Sequence, residues 1–184
     1  MKKLTWLVAI PCSAWAFSIG AADPAGRSET TGSHLGSDTA KRTVVQLNEP
    51  TEIDSILRLL EEGKNQEAIA AARDYEERFR SATSADEPSL REGHYYALNA
   101  LCIALTKGAD IDGALAACTE AIAIFPNRWT AINSRGTTYF AARRFDEALI
   151  DYRRALEVAP QDTPASETIA QNIRLTEQRI AAQN

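Results

Sequence analysis

Two cysteines, Cys102 and Cys118, and two histidines, His34 and His94, are the side chains of this chain best suited to covalent, redox or acid–base chemistry. His94 stands beside Tyr95 and Tyr96 with no Ser, Cys or Asp at a spacing that would recommend a nucleophile–base pair, and His34 lies alone in a Gly/Ser/Thr-rich stretch. There is no HExxH, no GxGxxG, no P-loop and no closely spaced cysteine pair. No catalytic residue, metal-ligand set or cofactor is therefore assigned. Cys102 and Cys118 lie about equally far from a break at Gly108 and Ala109, which leaves two readings. In an exported protein two cysteines facing each other across a helix hairpin oxidise, closing a loop of about 15 residues worth roughly 3 kcal/mol. Alternatively both are small buried hydrophobes. A thiol-active protein or enzyme is a distant third.

The question of export arises at the first residues. The chain opens MKK, continues LTWLVAIPCSAWAF, and reaches small residues at Gly20, Ala21 and Ala22. This reads as a secretory signal peptide, residues 1–22, cut after Ala22 or after Ala16; a retained anchor is the alternative. Cys12 follows Ala9, Ile10 and Pro11 and lacks a lipidation triplet. Cleavage removes Lys2 and Lys3 and no acid, leaving 18 basic against 25 acidic residues, a formal charge of −7. That balance argues against a nucleic-acid partner and against attraction to anionic lipid. The expectation is a periplasmic or secreted protein with no stable membrane insertion after cleavage. Residues 23–49, rich in Gly, Ser, Thr and charge, read as a flexible linker, and residues 50–184 as one folded domain.

A shift of 34 residues maps Pro126 onto Pro160, Ala114 onto Ala148, Ala121 onto Ala155, Asn99 onto Asn133 and Cys102 onto Gly136. Within each copy, apolar residues recur at three and four on both sides of a break, TKGAD in the first and AARR in the second. That pattern is an antiparallel helix pair with small residues where the backbones approach. Gly136 and Ala148 sit at the expected crossing, and Pro160 ends the second helix.

Gly136, Tyr139, Ala148, Tyr152, Ala155 and Pro160 fall at the offsets of a tetratricopeptide repeat, which residues 129–160 closely resemble and residues 95–126 resemble well. Departures are Ile132 and Arg135 in place of an aromatic and a leucine, and Cys102 and Cys118 in place of the crossing Gly and the second-helix aromatic. Residues 51–81 read as a degenerate first repeat: Ile53, Ile56, Leu57 and Leu60 form one stripe, Gly63 marks the turn, and Ala68, Ala72, Tyr75 and Phe79 form the second. Ser89 and Glu92 suggest a capping box on the next helix. Thr163 and Pro164 suit the N-cap and N1 of a final capping helix, with Ile169, Ile173 and Ile180 inward and RLTEQR outward. The fold class expected is all-α: a short α-solenoid of two good repeats, one degenerate repeat and a capping helix, about seven helices.

In this family the first helices of the repeats line the concave groove. By position the resemblance nominates Tyr96, Asn99, Ile103, Thr106, Lys107, Thr130, Asn133, Ser134, Thr137 and Phe140 as partner-binding. Asn99 and Asn133 recur as a ladder of amides suited to the backbone of an extended peptide, or serve packing and solvation. Arg143, Arg144, Arg153 and Arg154 make a basic run in which Arg153 and Arg154 alternate with Asp146, Glu147, Asp151 and Glu157 as on a solvated, ion-paired face, a basic docking patch being the alternative. The resemblance implies a non-enzymatic adaptor or scaffold binding another protein or peptide in the cell envelope. The alternative is a structural subunit that docks through its flanks, including as a homodimer.

Overall fold

A computed structural model describes residues 50–81 and 87–183. The expected leader, the linker, Cys12 and His34 lie outside the described residues. Among the described residues there are seven helices and no strands: α1 (Pro50–Glu61), α2 (Asn65–Arg80), α3 (Pro88–Lys107), α4 (Ile111–Ile124), α5 (Trp129–Ala141), α6 (Phe145–Val158) and α7 (Pro164–Ala181). They form three antiparallel hairpins, α1–α2, α3–α4 and α5–α6, each stacked on the next, and α7 closes the stack against α6. The architecture is a short helical-repeat solenoid.

The three hairpins turn in the same way. After each first helix one residue adopts the left-handed conformation: Gly63 at φ 74°, Ala109 at 65° and Arg143 at 62°. The following amide then reaches back across the turn, Lys64 to the carbonyl of Leu59, Asp110 to that of Leu105 and Arg144 to that of Tyr139, at 2.9, 3.0 and 2.9 Å. These bonds satisfy carbonyls that the helix end would otherwise leave unpaired. Only the first hairpin uses glycine there, so the other two carry the Cβ strain of that conformation.

The same register places one residue pair at the crossing of each hairpin. They are Ile56 and Ala72 in the first, Cys102 and Cys118 in the second, and Gly136 and Tyr152 in the third, all buried. A large residue meets a small one, two intermediate ones meet, or a small one meets a large one. At Gly136 the fit is tight, because a Cβ would lie 2.9 Å from the Tyr152 ring and 3.3 Å from Cβ of Asp151.

Two expectations about helix ends and faces differ from the structure. Ser89 and Glu92 form no capping box: α3 begins two residues earlier, with Glu87 as N-cap without a side-chain bond and Pro88 at N1. Glu92 instead accepts a 2.7 Å bond from Arg128, the N-cap residue of α5. In α7 the segment RLTEQR does not all face outward, since Thr176 is fully buried and bonds the carbonyl of Asn172. Ile173 and Ile180 are only partly covered. Thr163 does cap α7, accepting from the Ser166 amide while Ser166 Oγ accepts from the Thr163 amide.

Two substitutions read this geometry directly. Gly136→Val drives a branched side chain into the Tyr152 ring and lowers stability by about 1–3 kcal/mol in urea unfolding. Arg143→Gly removes the left-handed penalty at an exposed turn and raises it by about 1 kcal/mol in the same assay.

Candidate functional site

The residues nominated on the first helices divide into two sets. Asn99, Ile103, Asn133 and Ser134 are buried, whereas Tyr96, at 38 % exposure, and Lys107 are open and Thr106, Thr130, Thr137 and Phe140 are half-buried. The amides thus do not form an open ladder. Asn133 Oδ1 accepts from Asn172 Nδ2 of α7 at 3.3 Å, so the capping helix takes up the group that a partner's backbone was expected to use. The Asn99 Oδ1 and Ser134 Oγ atoms are buried without a hydrogen-bond partner.

Between α3 and α5 runs a seam of hydroxyl groups. The Tyr95 hydroxyl bonds Thr130 Oγ1 and accepts from the Ala131 amide at 3.2 Å. Further along, Thr106 Oγ1 donates to the Cys102 carbonyl and meets Thr138 Oγ1 at 2.8 Å. Threonine suits this place because its hydroxyl satisfies a carbonyl one turn back in its own helix while its methyl packs. Burial raises the Tyr95 phenol above its ordinary range and pushes that of Tyr152 up to about 12, although Tyr152 donates to Thr137 at 3.1 Å. Both phenols therefore stay protonated at neutral pH and act as fixed donors and acceptors.

At one end of the seam Arg128 is held over three aromatic rings, 4.3 Å from the centroid of Phe125, 5.2 Å from Tyr95 and 5.6 Å from Tyr96. Its bond to Glu92 fixes the guanidinium, and Tyr96 presents its ring to solvent beside it. The open face thus joins an anchored aromatic at Tyr96 to a cation at Lys107, three turns along α3, with hydroxyls and Phe140 contributed by α5. Such a surface suits van der Waals and hydrogen-bonding contact with another chain.

Two charged clusters were not apparent in the sequence. Asp151 does not belong to the solvated face of α6: its side chain is 4 % exposed and takes a bidentate bond from Arg135, Nε to Oδ2 at 2.7 Å and Nη2 to Oδ1 at 2.8 Å. That hydrogen bond, ahead of the cost of burial, holds the Arg135 pKa above its ordinary value. The one available signal was an arginine at a first-helix position where the repeat expects leucine. The rest of the outer-face reading fits in part: Arg144 pairs with Glu147, and Arg153 reaches Glu177 of α7, both across exposed surface. Arg154 instead donates to the Pro126 carbonyl at 2.9 Å. His94 is part of a second cluster, its Nε2 3.0 Å from Oε1 of buried Glu76, which also accepts from Arg80 at 2.9 Å. The imidazole thus links α3 to α2.

Residues 129–162, covering α5 and α6, match the family described as Tetratricopeptide repeat. Among solved structures, the C-terminal TPR-containing domain of a Plasmodium falciparum protein named as FK506-binding aligns with a TM-score of 0.53 at 14 % identity, over 72 % of this chain and 88 % of that one. The P58(IPK) TPR domain aligns with a TM-score of 0.49 at 23 % identity, over 70 % of this chain, which spans only 34 % of that domain. The first TPR domain of human RPAP3 aligns with a TM-score of 0.46 at 24 % identity, over 72 % and 92 %. The fold is that of a tetratricopeptide-type α-solenoid.

The buried Arg135–Asp151 pair gives a separable prediction. Arg135→Leu restores the expected repeat residue but strands the Asp151 carboxylate, and costs about 3–5 kcal/mol. Arg135→Leu with Asp151→Leu recovers most of that loss, as a double-mutant cycle in urea will measure.

Proposed function

We propose that this chain is a non-enzymatic protein-interaction module of the bacterial cell envelope, binding an extended segment or a helix of another protein on the open face of α3 and α5. One observation carries the reading. Tyr96, Lys107, Thr130, Thr137 and Phe140 reach the surface on neighbouring first helices, while Tyr95 with Thr130 and Thr106 with Thr138 bond those helices to each other beneath them. A face fixed in this way offers side chains to a partner at little ordering cost. Recognition then rests on Tyr96, Lys107 and Phe140, with the buried amides supporting the helices.

Export to an oxidising compartment is supported by the MKK-led apolar stretch at residues 1–22 and by the Cys102–Cys118 disulfide, which joins α3 to α4. No helix among the described residues is long and apolar enough to cross a membrane. The acidic balance of the chain speaks against nucleic acid as a partner. A second reading, self-association through the solenoid flank, has its own observation: Ile150 on the outer side of α6 is 66 % exposed and Val158 stands one side of the same helix at 37 %.

Affinity capture from an envelope extract separates these readings. Tyr96→Ala/Lys107→Glu leaves the circular dichroism spectrum unchanged and reduces the captured partner at least tenfold. Equal capture by wild type and variant removes the open face from consideration. A dimer mass in light scattering that is lost with Ile150→Glu replaces the reading with the flank.

A further inference from the structure

We infer that the Cys102–Cys118 bridge is a covalent substitute for the large-and-small contact at the crossing of the other two hairpins, and that a disulfide-donating oxidant writes it before the hairpin packs into the solenoid. The first part rests on register. Cys102 and Cys118 occupy the places held by Ile56 and Ala72 in the first hairpin and by Gly136 and Tyr152 in the third. In the third hairpin the Tyr152 ring fills the crossing against Gly136, and in the first Ile56 and Ala72 are buried in one cluster. Two thiols are each smaller than isoleucine or tyrosine, and it is the sulfur–sulfur bond that draws them into the same volume.

The second part rests on burial. Both cysteines are 0 % exposed, and on the far side of Cys102 the Thr138 hydroxyl of α5 lies 3.6 Å from Sγ. The hairpin is flanked by α2 on one side and α5 on the other. Thiol–disulfide exchange needs an attacking thiolate in line with the disulfide it attacks, so no external sulfur reaches this pair once the neighbours are docked. The sequence separation of 16 residues, within one hairpin, lets the two thiols meet before any longer-range contact forms.

The chemistry balances with one oxidant molecule of the disulfide class, either a protein disulfide or oxidised glutathione. The thiolate of one cysteine attacks the oxidant's disulfide, forming a mixed disulfide and expelling one thiolate. The second cysteine, after losing its proton, attacks the protein sulfur of the mixed disulfide, forming Cys102–Cys118 and expelling the second thiolate. Two electrons and two protons pass to the oxidant, which leaves as two thiols. The chain is thus a substrate for such a donor during folding and a poor substrate for reductants afterwards. Burial of the bridge and its role at the crossing are read on the purified chain, so their failure is distinguishable from failure of the envelope reading.

The experiment uses the full chain carrying Cys12→Ser, so that only two sulfurs report. Dithiothreitol is applied across a urea series and thiols are trapped with iodoacetamide for mass spectrometry. The expected result is negligible reduction without urea, with a rate that rises in step with global unfolding followed by circular dichroism. Reduction of the wild-type pair lowers Tm by roughly 10 °C, and Cys102→Ser/Cys118→Ser matches the reduced protein or fails to fold. Cys102→Gly/Cys118→Tyr and Cys102→Ile/Cys118→Ala import the contacts of the neighbouring hairpins. At least one of these stays fully helical with a Tm unmoved by dithiothreitol. Full-rate reduction of the native chain without urea overturns the burial argument. A Tm unchanged on reduction, or loss of helix in both imported pairs while the serine variant folds, overturns the substitution argument.

Discussion

Everything in this molecule depends on how closely two helix backbones approach at the crossing of each hairpin. The distance between the axes is set by the side chains placed there, and three hairpins of one chain meet the same requirement with Ile56 and Ala72, Cys102 and Cys118, or Gly136 and Tyr152. Because each solution is filled, the second helix of a hairpin arrives at the angle that the next first helix needs. The repeating left-handed residue at Gly63, Ala109 and Arg143 fixes that angle from the other end. Stacking then follows from nearest-neighbour contacts alone.

From this frame the surface of α3 and α5 takes its character. In the layer where the first helix of one hairpin lies on that of the next, Tyr95 bonds Thr130 and Thr106 meets Thr138. The layer is wide enough to absorb Asn133, which α7 reaches through Asn172. The residues left facing outward are few and well anchored, with Tyr96 set beside an arginine that is itself clamped by Glu92.

The repeat itself was readable in the sequence because its signals are local and periodic. Small residues at fixed offsets, the prolines at 126 and 160 and the apolar stripes all report on one hairpin at a time, and the structure has the seven helices and the Thr163 cap they imply. What the sequence did not disclose depends on which neighbour a polar residue meets. Asp151 has the helical spacing of a surface carboxylate, and only the docking of α5 against α6 brings Arg135 to it. Ser89 and Glu92 have the spacing of a capping box, but Pro88 starts α3 earlier and Arg128, 36 residues from Glu92, claims the carboxylate. Asn99 and Asn133 kept their register but not their exposure, since a single-helix pattern does not say how much of a face the adjacent helix covers.

The position of the bridge has a mechanical meaning. In a stack held by nearest neighbours, fraying begins at an end and travels inward as a front, releasing one hairpin at a time. A front entering from α1 frees the first hairpin and then meets α3 and α4, which remain tethered as a closed loop after their contacts open. The middle hairpin therefore gains less chain entropy on release than either neighbour does. That lower entropy gain opposes passage of the front, leaving α5 to α7 shielded from events at the opposite end of the solenoid.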